Sequence, residues 1–221
     1  MFAFSDGGCK NNGKKNAIAS FASIIIDDKS KKIIRGKVQP YEYKLIENKI
    51  ENKIENKIQI NENIPITPSN NRGELLGLIY CFLHLLEYKQ LQTTQLIDGM
   101  EELLNDKGHL QLGVTPLEIE IISDSLISIK TLTKWLPDRR KKNTAHELKN
   151  FDLVSIAETL FLQLQEKCKN VKIIHVNSHQ PEPNSSDPDF DKKHLLWKGN
   201  QAVDKHCGIA LANLNYDVEI I

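Results

Sequence analysis

The chain has 221 residues, 40% of them hydrophobic and 26% charged, enough for one buried core and too little for two comfortable ones. Its 29 Lys and Arg balance its 29 Asp and Glu, so any contact with a polyanion must come from local patches rather than from a global basic field. No apolar run approaches the roughly 18 residues that a membrane span requires.

Met1 to Asp6 reads as the start of a strand and not as a targeting leader, so the expected setting is cytoplasmic or nuclear, with no membrane partner. Phe2 to Gly7, Ala17 to Ile26 and Lys32 to Val38 are β-branched or small-residue runs joined by polar turns, and they predict an antiparallel meander. Gly7-Gly8 and Asn11-Asn12-Gly13 mark the first reversal. From Ile46 to Ile58 the sequence repeats Ile-Glu-Asn-Lys. A four-residue period suits a drifting helical stripe or a strand face equally well, so the tract stays open between them and reads as a surface insertion without chemistry. Asn71 to Tyr88 places Leu75, Leu78, Ile79, Phe82, Leu83 and Leu86 at helical spacing. Residues 90–115 look irregular, with a short helix near Met100 to Leu104.

Leu117 to Ser123 is a strand, followed at once by a helical pattern to Trp135. The basic run Arg139, Arg140, Lys141, Lys142 precedes an amphipathic helix from Phe151 to Gln165. Val171 to Val176 is a fifth strand, and a Pro/Ser/Asp-rich loop leads to a last helix from about Asn200 to Ala212. The order β-β-β-α-β-α-α-β-α predicts one α/β domain over residues 1–221. Its sheet is mixed and five-stranded, three antiparallel strands and then two parallel, with helices on its faces. The four cysteines, Cys9, Cys81, Cys168 and Cys207, are scattered, without the paired spacing of a zinc or redox site.

Four acids sit at places where such a sheet gathers ligands. Asp6 lies in an apolar first strand, Glu74 in the first turns of the long helix, Asp124 at the junction of a strand and its helix, and Asp204 four residues after Asn200. An acid at a helix start is ordinarily a cap. Several converging carboxylates, however, repel one another unless cations neutralise them, and Mg²⁺ is a hard cation suited to that set.

Five stretches, in order, resemble the motifs of cellular-type ribonuclease H: Phe4-Ser5-Asp6-Gly7-Gly8-Cys9, Ser69-Asn70-Asn71-Arg72-Gly73-Glu74-Leu75, Ile121-Ile122-Ser123-Asp124-Ser125, Val176-Asn177-Ser178-His179 and Gly199-Asn200-Gln201-Ala202-Val203-Asp204. The resemblance covers the chain apart from insertions at about 40–66, 90–115 and 181–197. It implies a ribonuclease H-like fold and hydrolysis of the RNA strand of RNA·DNA hybrids, leaving 5′-phosphate and 3′-hydroxyl ends. Asp6, Glu74, Asp124 and Asp204 would hold two Mg²⁺ ions, with Mn²⁺ able to substitute. His179 would assist proton transfer or product release.

Gly7, Gly8, Cys9, Asn12, Asn70, Asn71 and Asn200 would contact the hybrid, the asparagines in the minor groove where 2′-hydroxyls are displayed. The chain is expected to be a monomer, with replication or reverse-transcription machinery as a candidate partner. The loop before Asp204 is longer than the family pattern, which leaves His194 as an alternative to His179. Arg139, Arg140, Lys141 and Lys142 read either as a substrate grip or as a solvated loop. The competing functions are another nuclease of the same fold, such as a junction resolvase, and a silent member that only binds nucleic acid.

Overall fold

The computed structural model describes residues 1–27, 30–50, 53–104, 118–168, 170–212 and 216–221. Strands β1 (Phe2–Lys10), β2 (Ile18–Ile26) and β3 (Lys31–Lys37) form the expected meander. The hairpin β4 (Tyr41–Ile50) and β5 (Lys53–Pro65) follows, then helix α1 (Asn70–Leu104), β6 (Glu118–Ser123) and a helical run of α2 (Leu126–Lys130), a π-helical turn (Thr131–Trp135) and α3 (Leu136–Lys141). Pro137 explains the π turn: it has no amide hydrogen to continue the ladder, and the Leu136 amide reaches back to the Thr131 carbonyl instead. Helix α4 (Phe151–Lys167), β7 (Asn170–His175), α5 (Phe190–Ala212) and β8 (Asp217–Ile220) complete the chain.

The main sheet has the order β7-β6-β1-β2-β3-β8, with β1, β6 and β7 parallel and the rest antiparallel. The predicted five-stranded mixed sheet is present, and β8 adds a sixth strand at its outer edge. One face carries α1 and α4 over the larger core, in which nearly every residue from Arg72 to Leu86 is buried. The other face carries α5 over a smaller core around Phe4, Ile24, Ile33, Ile122 and Val203. A helix buried all round must be apolar nearly all round, which α1 is from Leu75 to Leu83.

Two stretches depart from the sequence reading, and a third, left open there, takes one of its two forms. The short helix near Met100 is the end of α1, which runs unbroken from Asn70 to Leu104, and residues 105–117 lie outside the described part. The last helix begins at Phe190, not near Asn200, so Asp204 sits in mid-helix. The repeat tract is a β-hairpin. Its register sets Ile46 opposite Lys57, Ile54 opposite Lys49 and Ile58 opposite Leu45, with Glu47 and Glu55 each opposite an Asn. Directly opposed residues share a face, so the register puts Ile46 and Ile54 on opposite sides of the hairpin. Leu45 and Ile58 pack on the core, and Gln163 of α4 bonds to both Asn56 and Glu47, at 2.8 and 2.6 Å. No helix among the described residues is long and apolar enough to cross a membrane.

Candidate active site

Ser5, Ser123 and His175 lie in one row across the three parallel strands. Asp6 and Asp124, each one residue further on, therefore emerge side by side at the carboxyl end of the sheet. Helix α1 brings the third acid. Its glycines let it press against the strand backbones: a Cβ on Gly73 would stand 2.4 Å from the Ser20 carbonyl oxygen, and one on Gly7 only 2.1 Å from the Glu74 nitrogen. No side chain fits in either gap, so the N-terminal turn of α1 delivers Glu74 directly beside Asp6. One carboxylate oxygen from each of Asp6, Glu74 and Asp124 lies within 4.8 Å of the other two.

Two of these acids are buried, Asp6 and Glu74 each being 6% exposed. Burial is the main reason that the Asp6 carboxyl is pushed up to about 7. The charges of Asp124 and Asp204 add to the rise, and the Gly7 amide, which donates to Asp6 Oδ1 at 2.7 Å, opposes it. Glu74 is raised well above the usual carboxylate range by burial and by the charges of Asp6 and Asp124. Asp124 is raised by burial too, with a hydrogen bond from Asn200 in opposition. Glu74 Oε1 accepts from the Asn70 amide at 3.2 Å, while Glu74 Oε2 is buried with no partner. A partnerless carboxylate oxygen, among hard oxygen donors that resist ionising together, fits a divalent cation.

The acids open into a cleft of about 510 Å³ that Gly7, Asn70, Asn71, His179, Asn200 and Asp204 also line. Asp204 stands outside the close group of three and acts on it through charge. His179 and His194 are separated plainly. His179 lines the cleft with a left-handed backbone (φ 53°), whereas His194 is held between the rings of Phe190 and Trp197 and contacts Glu182 at 3.2 Å.

Gly8, Cys9 and Asn12 do not line the cleft. Gly8 faces Ser20 and Cys207, so its small size serves the packing of α5. Asn12 Oδ1 accepts the backbone amide of Asn70, occupying a donor that the start of α1 would otherwise leave unpaired. In the basic run, Arg139 pairs with Glu147 at 3.2 Å, and Arg140 pairs with Glu158 at 2.6 Å and lies over the Phe151 ring. Lys141 and Lys142 are exposed.

Sequence reasoning gave no role to several residues found here. Leu126 and Ile127 line the cleft although 42% and 53% exposed. They fall off the stripe that buries Ile129, Leu132 and Leu136, which is the signal that could have found them. The ring of His175 contacts the Asp124 carbonyl oxygen at 3.2 Å, and Cys207 lies buried beside Asp6. Arg72 is fully buried and grips Asp152 of α4 with two bonds, at 2.9 and 2.7 Å, while also reaching the Tyr41 carbonyl of β4.

By sequence, no protein-family model matches the chain, and no curated protein does. By structure, the whole chain superposes on 75% of LC9-RNase H1, described as a type 1 RNase H with the type 2 active-site motif, with a TM-score of 0.50 and 11% identity. The fold is ribonuclease H-like. Weaker similarity extends to the RNase H domain of PFV (97% of this chain, 95% of that one, 14% identity, TM-score 0.48). It extends also to a fifth of the foamy viral protease-reverse transcriptase solved with an RNA/DNA hybrid (95% of this chain, 20% of that one, 11% identity, TM-score 0.45). In this ribonuclease H-like chain the acidic cleft occupies the carboxyl ends of the parallel strands, where open α/β sheets gather their ligands.

Proposed function

We propose that the chain is a metal-dependent endonuclease that hydrolyses the RNA strand of RNA·DNA hybrids, leaving 5′-phosphate and 3′-hydroxyl ends. The observation that carries this reading is the convergence of Asp6, Glu74 and Asp124 within 4.8 Å, at the mouth of an open cleft, with one oxygen of Glu74 unpartnered. Asp6, Glu74 and Asp124, with Asp204 at the margin, are the residues that would hold Mg²⁺, or Mn²⁺ in its place; two such ions, when bound, would supply charge neutralisation at the scissile phosphate and lower the pKa of a nearby water.

The chain's own groups do the rest. His179, on the cleft wall, takes or returns a proton at the leaving oxygen or eases product release. Asn70, Asn71 and Asn200 line the same cleft and offer amides to the minor-groove edge, where a 2′-hydroxyl tells RNA from DNA. Gly7 lines the cleft and Cys9 and Asn12 lie next to Asn70, while Lys141 and Lys142, exposed and without an ion pair among the described residues, are the cations of the basic run that meet the DNA strand's phosphates.

The test is a panel of end-labelled substrates with Mg²⁺: an RNA·DNA hybrid, duplex DNA, duplex RNA and a four-way DNA junction. Cleavage confined to the RNA strand of the hybrid is expected. Efficient cutting of the junction would favour a resolvase, and no cutting of any substrate would favour a silent binding protein.

A further inference from the structure

A second cavity of about 420 Å³ adjoins the cleft and shares His179, Asn200 and Gln201 with it as a common wall. It is built by the chain between β7 and the first turns of α5, the stretch that resemblance alone would set aside as inserted loop. Its lining includes Pro181, Leu196 and Trp197 as apolar surface, and Asn177, Gln180 and Gln201 as amides. Its charges are already engaged: Glu182 contacts His194 at 3.2 Å, and Lys193 lies 3.7 Å from Asp187. Such a chamber suits a neutral, flat ligand with hydrogen-bonding edges, and it offers no free cation for a phosphate.

The aromatic geometry narrows the choice. Phe190, His194 and Trp197 stack in a column along α5, with ring centroids 5.2 and 5.7 Å apart. Trp197 ends that column and is its one member lining the cavity. Its indole N–H donates to the Gln180 carbonyl at 2.9 Å, which fixes the ring before any ligand arrives. A planar group entering the chamber would extend the column by one ring.

We propose that this cavity binds a single unpaired nucleobase of the strand cut in the neighbouring cleft, stacked on Trp197 and held at its edge by the amides. This rests on the nuclease reading for the identity of the strand. A base can reach the chamber only from outside the duplex, so the site selects hybrids that carry a bulged or mismatched ribonucleotide beside the scissile phosphate. Stacking on an aromatic side chain changes affinity by roughly five- to a hundredfold per base.

The experiment compares binding of two hybrids in chelator, one fully matched and one with a single bulged ribonucleotide, to the wild-type chain and to Trp197→Ala. Wild type is expected to bind the bulged hybrid about tenfold tighter, and Trp197→Ala to bind the two equally, with its affinity for matched hybrid retained. Should Trp197→Ala fail to fold, as circular dichroism would reveal, Asn177→Phe stands in. It adds bulk at an exposed position on the cavity wall and should abolish the preference by filling the chamber. Equal binding of both hybrids by wild type overturns the proposal, as does a preference that survives in the folded variants. A bulge preference without Mg²⁺-dependent cleavage of either hybrid would keep the base site and sink the nuclease reading.

Discussion

Arg72 and Glu74 stand two residues apart in the first turns of α1, both buried, and their surroundings are opposite. Arg72 meets Asp152 in a two-bond pair, donates to the Tyr41 carbonyl and lies 5.6 Å from the centre of the Tyr43 ring. Glu74 meets two further acids and keeps an oxygen without a partner. The first is a buried charge with its counter-charge supplied by the fold, tying α1 to α4 and the β4–β5 hairpin. The second is a set of buried acids whose counter-charge the fold does not supply. The uncompensated set is where a ligand has something to contribute.

Breaking each set in turn sharpens the contrast. The largest effect is expected from Asp6→Asn on turnover. Cleavage of the hybrid with Mg²⁺ should fall by on the order of a thousandfold or more, about 4 kcal/mol of barrier, while the metal-free protein melts no lower than wild type. Near-wild-type cleavage by this variant would remove Asp6 from the site. Next comes Asp152→Ala, which strands a fully buried guanidinium. Urea denaturation should show a loss of about 3–5 kcal/mol, the penalty for breaking a buried pair from one side. A loss under about 1 kcal/mol would mean that water reaches Arg72.

A smaller effect is expected from His179→Ala, roughly ten- to a hundredfold in kcat, whereas His194→Ala, outside the cleft, should change kcat less than threefold or so. The reverse ranking would mean that the loop rearranges when substrate binds. The smallest concerns the basic run. Because Arg139 and Arg140 already serve Glu147 and Glu158, replacing Lys141 and Lys142 together with Gln should remove most of any phosphate grip. The log–log salt dependence of KM would flatten by about 0.7 to 0.9 for each phosphate that a lysine no longer neutralises, with kcat unchanged. No change in slope would leave the run a solvated surface.

The same contrast explains what could be read from the sequence. Three of the acids were legible because Asp6 interrupts an apolar strand, Glu74 stands at a helix start and Asp124 at a strand end, positions that periodicity locates. The β-β-β-α-β-α-α-β-α order was legible because every element carries its own apolar period. Partners were not. Asp152 is 80 residues from Arg72, and nothing local announces their pairing. Strand β8 escaped because all four of its residues are exposed, and Arg35, which bonds Asp217 at 2.6 Å, helps hold it to β3 in place of an apolar face. The Ile-Glu-Asn-Lys tract escaped because four is compatible with both periods, and only the pairing of β4 with β5 decides between them. The start of α5 was hidden by Pro181, Pro183 and Pro188, which make the approach to Phe190 look like loop throughout.

Whether Asp6, Glu74 and Asp124 form an acidic cluster built to take a cation is tested most directly by thermal unfolding across pH. The Asp6 carboxyl, ordinarily near 3.8, is held at about 7 in the folded chain. The folded state therefore binds this proton more tightly than the unfolded one. The resulting stabilisation is complete below about pH 4 and is lost as pH rises through about 7. Without metal, Tm should fall by several degrees from about pH 5 to pH 8, and Asp6→Asn should flatten that fall. Millimolar Mg²⁺ should raise the wild-type Tm at pH 8, by taking over the neutralisation that protons provide at pH 5, and should do little for Asp6→Asn. A wild-type Tm that is indifferent to Mg²⁺ at pH 8, with the same pH slope in Asp6→Asn, would contradict the account.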